Sequence, residues 1–392
     1  MAVLEEEYGH IRDEILYNLD MEDGATRDLL ALYFDADTTS AELAAFYKKH
    51  NFEKLSYQCV WLLVRLSFQM HYEGVPAELL PRVKGAVRKF AVENGVMLCE
   101  LAGVLSVFNR IGLDVLLLKG AAMKVHYDPT GIRVMGDIDF LVHPHDLEKA
   151  FSVLKERGFH VESYSSHHIT CRKGTVLMEL HRVCIHENIL KGDPPSIWNT
   201  AKEISWRGKK VFVPCPEVML MILLVHISED ARSVYFRERI GSLIKWVVDA
   251  RFFIDKYLLD WELFVKIVRE NDLNMNIRLM LDMLNQLYPG MIDEKILNAL
   301  PVTRKDVDNQ RKLRVYATCW NRMMDAKEAD KRLLYYWRGF FCMWHRSRFM
   351  GKHDSLLEDI IEFPHFLDVW SGQKGLWRFV NEKLHNRKKS KK

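Results

Sequence analysis

The chain has 392 residues, 48% hydrophobic and 28% charged, and its 10 Trp, 14 Tyr and 20 Phe are ample material for a buried core. That is the balance of a globular protein of two or three units. The cysteines are scattered and form no C-x-x-C pair, which excludes a disulfide framework and a thiolate zinc knuckle; the expected compartment is the reducing cytoplasm.

Residues 1–112 carry the pattern of helices. Apolar residues recur at three- and four-residue spacings over Ala41 to Lys49, Tyr57 to Met70 and Pro81 to Arg110, and Thr39 and Ser40 stand where an N-cap belongs. The N-terminus opens on Glu5, Glu6 and Glu7, so no targeting segment is expected. From Leu113 to Cys215 short apolar runs bounded by Gly, Pro and Asp predict strands: Val115 to Leu118, Ile138 to Val142, Phe159 to Val161, Val176 to Leu180 and Val211 to Val213. An amphipathic stretch, Leu147 to Arg157, ends at Gly158 and predicts a helix between two of them. After Pro216 the helical period returns in Met219 to His226, Ser242 to Ile254, Trp261 to Arg269 and Lys331 to Arg348. The most apolar run, Val218 to Ile227, is about half of the ~20 residues that a bilayer crossing needs, so no membrane span is expected.

The net charge of +3 is unevenly spread: Leu376 to Lys392 hold seven Lys or Arg against one Glu. The basic tail, residues 386–392, reads as a solvated end or as a binder of polyanions. The expected architecture is α+β and predominantly helical. A helical region at 1–112 and another at 216–385 flank a small mixed-sheet unit at 113–215.

The small unit carries the chemistry. Side chains alternate along a strand, so Asp137 and Asp139 share one face, ~7 Å apart, while Ile138 turns to the core. By the same alternation Glu179 and His181 share a face of a later strand. If the two strands are neighbours, three carboxylates converge, and such a cluster calls for hard divalent cations, Mg2+ or Mn2+. Two further D-x-D pairs, Asp35 with Asp37 and Asp306 with Asp308, lack a preceding strand and Gly turn, and both read as helix starts or helix surface.

The succession of Leu118-Lys119-Gly120, a helix, Arg133, Gly136-Asp137-Ile138-Asp139-Phe140-Leu141-Val142, a helix, Arg157-Gly158-Phe159 and Glu179-Leu180-His181 resembles the nucleotidyltransferases of the polymerase-beta-like superfamily. Within it, the chain is similar to a bacterial group of largely unassigned substrate. The resemblance spans residues 113–182. It implies a nucleotidyltransferase domain at 113–215 and metal on Asp137 and Asp139, with Glu179 in the place of the third carboxylate. It further implies transfer of a nucleotidyl group from a nucleoside triphosphate to a hydroxyl of a small molecule, a protein or RNA. Lys119 and Arg133 are then candidates to hold the departing pyrophosphate, with Gly120 letting backbone N–H groups approach; a plain turn and a surface ion pair are the other readings of Gly120 and Arg133. This chain has Lys119-Gly120-Ala121 where the superfamily more usually has a Gly-Ser turn. The alternative is a catalytically disabled domain serving as a nucleotide-binding or regulatory partner.

Eight of the 16 histidines fall at 126, 143, 145, 160, 167, 168, 181 and 186, without an H-E-x-x-H spacing. His181 either orients Glu179, contacts substrate, or is a hydrogen-bonded strand histidine. His143-Pro144-His145 reads as a turn and His226 as a core histidine. The aromatic and basic residues of Leu333 to Phe349 fit one packed helix face better than a nucleic-acid surface.

Overall fold

The computed structural model describes residues 2–18, 24–127, 133–164, 168–185, 196–233, 243–328 and 338. The basic tail and the aromatic-basic stretch other than Arg338 lie outside the described residues, as do His167 and His186. The chain divides into two compact units, one from segments 1–18, 231–240 and 302–392, the other from 19–230 and 241–301.

In chain order the helices before the sheet are α1 (Ala2–Asn18), α2 (Gly24–Phe34), α3 (Ser40–Lys49), α4 (Tyr57–Gln69) and α5 (Leu80–Arg110). The sheet region holds β1 (Leu116–Leu117), α6 (Lys119–Ala122), β2 (Ile138–Leu141), α7 (Leu147–Glu156), β3 (His160–Tyr164), β4 (His168–Lys173), β5 (Val176–His181), α8 (Ser196–Asn199), β6 (Lys202–Trp206) and β7 (Lys209–Val213). Then follow α9 (Pro216–Ser233), α10 (Leu243–Lys256), α11 (Trp261–Glu270), α12 (Asn274–Leu287), α13 (Glu294–Asn298) and α14 (Arg304–Glu328). The chain is thus α+β and predominantly helical, with one seven-stranded mixed sheet among the described residues.

Local chemistry explains the boundaries. Thr39 caps α3: its hydroxyl accepts the Glu42 N–H, and the Glu42 carboxylate accepts the Thr39 N–H at 2.8 Å. Gly158, at φ +85°, ends α7 in the left-handed region that a side chain disfavours. In the smaller described unit, α1 and α14 are tied by Glu7, which accepts from Arg304 at 2.8 Å and Arg311 at 3.1 Å.

In the larger unit the strand order is β3-β4-β5-β2-β1-β7-β6. β2 runs parallel to β5 and antiparallel to β1, and β1 runs parallel to β7. Every β2 residue is buried, so β2 is a central strand covered on both faces. β4 and β6 escape the strand pattern. β4 has only Ile169 and Cys171 as apolar residues, and β6 is an edge strand, Lys202-Glu203-Ile204-Ser205-Trp206, whose charges hide its alternation.

α5 has the length and apolar composition to cross a membrane. Its Phe90, Met97, Leu101, Val104, Leu105 and Phe108 are buried, and the helix packs on α4, α7, β5 and β7. A second apolar cluster joins α2, α3, α4 and α10 through Leu29, Leu43, Leu62, Leu63 and Val248. Val134, three residues before Asp137, packs against this cluster.

Candidate active site

Register alone assembles the site. β2 and β5 are neighbours, and Asp139 lies opposite Glu179. Residues opposite each other share a face, so Asp139, Glu179 and His181 project from one side of the sheet, and Asp137, one residue before β2, lies close enough for Asp139 to repel it. The next strand adds to that face: His168 of β4 lies opposite His181.

Asp139 is 2% exposed, and its Oδ1 accepts hydrogen bonds from Lys119 Nζ and His181 Nε2, each at 2.9 Å. Burial opposes its charge, but Lys119 and His181 prevail and hold its carboxyl well below the usual range. Burial likewise opposes the charge of His181, and its bonds to Asp139 and Glu179 outweigh that and push it up. Lys119 is also pushed up, against burial, by Asp139, Asp137 and Glu179. Its backbone sits at φ +43°, a left-handed conformation that costs a non-glycine residue roughly 1 kcal/mol or more. That strained turn aims the side chain back onto Asp139.

Asp137 has the opposite environment. Repulsion by Asp139, then burial, push its carboxyl up to about 6, with Lys119 opposing. Two aspartates that look equivalent in the sequence are therefore unlike: the carboxyl of Asp139 is tethered and pulled down, and that of Asp137 is pushed up by its neighbour. Glu179 stands at the rim, its side chain 18% exposed, with Oε1 3.5 Å from His168 Nε2 and Oε2 3.4 Å from His181 Nε2.

Of the two readings of Arg133, phosphate contact and surface ion pair, the structure has an ion pair, but a buried one. The guanidinium is 1% exposed, and its Nε and Nη2 donate to Asp249 Oδ2 of α10 at 2.9 and 2.6 Å. Its charge is thus matched inside the protein. Gly120 serves the same pair, since a Cβ there would lie 2.7 Å from Arg133 Nη1. Asn94 of α5 completes the clamp: its amide donates to Arg133 O at 2.8 Å and accepts from Met135 N at 3.2 Å. Together they hold the segment leading into Asp137.

Beside that segment lies a cavity of about 510 Å³, bordered by Tyr57, Trp61, Met97, Gly136, Thr175 and Lys245 among others. Lys245, on α10, has no ion pair within 4 Å among the described residues, and its Nζ rests 4.8 Å from the Trp246 ring centroid. Burial, then the Arg133 charge, push its ammonium down. Lys245, Asp249, Asn94 and His168 had no assigned role in the sequence. Only His168 left a trace there, as one of the crowded histidines, and its place opposite His181 needed the strand register.

The remaining candidates fall into structure. Pro144–Asp146 is a single 3-10 turn, with the His143 ring stacked on Trp198 at 4.0 Å. His226 pairs with Glu229 at 3.0 Å on α9. Asp306 caps α14 by accepting from Thr303 N at 2.8 Å, and Asp35 accepts from Asp37 N at 2.9 Å in the turn after α2.

An acidic face on a mixed sheet braced by helices is consistent with a nucleotidyltransferase domain. The profile of the family described as "Uncharacterised nucleotidyltransferase" matches residues 56–289, more than half of the chain, and the chain belongs to that family. The matched span takes in α4, α5, the whole sheet and α9 to α12. The crystal structure of an antigenic nucleotidyltransferase-like protein from Paracoccidioides brasiliensis is similar over 54% of this chain and 94% of its own, at 18% identity and a TM-score of 0.31; so distant a likeness carries no argument. No curated protein matches.

Proposed function

We propose that the chain transfers a nucleotidyl group from a nucleoside triphosphate to an acceptor hydroxyl, with Asp137, Asp139 and Glu179 as ligands of divalent cations, Mg2+ or Mn2+. The observation that carries this is the juxtaposition of Asp139 and Glu179 on adjacent parallel strands, with Asp137 close enough for Asp139 to repel it and its carboxyl pushed up to about 6. A face on which one carboxylate suppresses the ionisation of the next is short of positive charge, and three carboxylates suit a hard cation. Cations bound there supply neutralisation of phosphate oxygens and in-line alignment of the attacking and leaving groups.

The chain's own groups do the rest. Glu179, at the open rim, accepts the acceptor's proton, a role worth roughly 10²–10⁴-fold. Lys119 balances Asp139 and adds positive charge where the phosphates arrive. Lys245, a half-buried ammonium beside the cavity, meets the phosphate tail, while Tyr57, Trp61 and Met97 offer the base an apolar wall. Arg133 and Gly120 act as positioning residues through Asp249. The acceptor is a hydroxyl on a small molecule, a protein or RNA.

The test is release of pyrophosphate from labelled nucleoside triphosphates with Mg2+ and cell extract, and the fate of the label. The reading expects consumption that EDTA stops and Asp137→Asn reduces at least a hundredfold. A second reading has its own observation: Lys119 and His181 already neutralise Asp139, as in a disabled domain that binds nucleotides for regulation. Saturable nucleotide binding without any turnover would favour that reading.

A further inference from the structure

β4 puts His168 where neither the D-x-D pair nor the third carboxylate calls for it. The His168 and His181 rings lie 5.2 Å apart and tilted by 50°, with the Glu179 carboxylate reaching both. His168, Glu179 and His181 each offer one ligand atom, and these atoms all lie within 4.8 Å of one another. Bonds of ~2.0–2.2 Å to a zinc-sized ion would set such donors roughly 3–4 Å apart, so closure asks for small side-chain rotations.

The second nitrogen of His181 gives an independent sign. Nδ1 lies 3.3 Å from the Val183 carbonyl oxygen and can donate its proton there. Nε2 faces Asp139 Oδ1 at 2.9 Å and Glu179 Oε2 at 3.4 Å. Both ring nitrogens are thus oriented, Nδ1 toward the backbone and Nε2 toward the carboxylates. A histidine whose far nitrogen is held by a backbone carbonyl is the usual arrangement of a metal ligand. His181 is buried, with its side chain 1% exposed, so the group is fixed in place before any ligand arrives.

We propose that His168, Glu179 and His181 form a mixed nitrogen–oxygen site that takes a borderline divalent cation of the zinc kind in preference to magnesium. Imidazole suits zinc, whereas magnesium demands oxygen donors and keeps its waters. This rests on the reading that the acidic face holds cations, and it adds that the face has two unlike positions. Asp137 and Asp139 form the oxygen-only position and the histidines the other, with the Glu179 carboxylate between the two.

Equilibrium dialysis of the full chain against buffered Zn2+, with metal content measured directly, tests this without nucleotide or turnover. The expected result is one zinc per chain, retained in a hundredfold excess of Mg2+, and retained by Asp137→Asn. His168→Ala should weaken zinc binding at least tenfold, which is the size expected for loss of a ligand or its support. Because His181 is buried and its replacement risks the fold, the half-buried His168 is the variant to use, with circular dichroism confirming its folding. Co2+ as a second probe should give visible absorption bands that His168→Ala weakens. Zinc bound equally by wild type and His168→Ala, zinc displaced by equimolar Mg2+, or no zinc bound at all would each overturn the proposal. Mg2+-dependent pyrophosphate release, measured separately, would stand in all three cases, so the transfer reading and the zinc site fail independently.

Discussion

Replacing Asp137 by Asn removes the charge that the fold tolerates least. Its carboxyl rises from 3.8 to about 6, chiefly through repulsion by Asp139. In the unfolded chain the same group ionises near its ordinary value, so between about pH 4 and pH 6 the folded state holds the extra proton. Stability from this group is therefore present below pH 4 and lost as pH rises through 6. At ~1.36 kcal/mol per pH unit, a rise of that size sets a ceiling of about 3 kcal/mol, and partial exposure brings the expectation to on the order of 1–3 kcal/mol. Urea unfolding of wild type and Asp137→Asn at pH 4, 5, 6 and 7 reads the difference directly. The variant should match wild type at pH 4 and exceed it at pH 7. Mg2+ should raise the wild-type midpoint at pH 7 and leave the variant's nearly unchanged. A variant no more stable than wild type at pH 7, or a gap of constant size across the range, would refute the account of mutual repulsion.

Asp139→Asn should behave oppositely, because Lys119 and His181 would then be buried without their carboxylate; a loss of about 3–5 kcal/mol in urea unfolding is expected. Arg133→Ala should cost a similar ~3–5 kcal/mol by leaving Asp249 uncompensated, with ATP affinity per folded molecule little altered. Lys245→Met should weaken ATP binding roughly ten- to hundredfold in isothermal titration, while leaving the nucleotide-free protein as stable as before or more so. Gly120→Ala should destabilise the chain, since the new methyl group meets Arg133 Nη1 at 2.7 Å, and the shortfall should vanish when Arg133 is replaced by Ala in the same chain.

The acidic strand was legible because its information is local. Gly136-Asp137-Ile138-Asp139 declares a strand end, a face and a charge within four residues, and the period of two assigns Glu179 and His181 to a common face without any tertiary knowledge. Arg133 is deceptive for the complementary reason. An arginine before an acidic strand looks free for an anion until α10 places Asp249, 116 residues later, at 2.6 Å. Long-range pairing leaves no periodic mark, and the same holds for Lys245 on that helix and for Asn94 on α5. β4 hides at a finer scale: with only Ile169 and Cys171 among His, Thr, Arg and Lys, its apolar alternation is too short to mark a strand, although its register with β5 delivers His168 to the site. What the sequence withheld is therefore not random. The residues that bear charge on the strand face announce themselves, whereas the groups that hold Asp139 ionised, Lys119 and His181, act through contacts that only the fold creates. The chemical difference between Asp137 and Asp139 follows from the Lys119 contact, and two carboxylates at one spacing become one tethered anion and one group that calls for a cation.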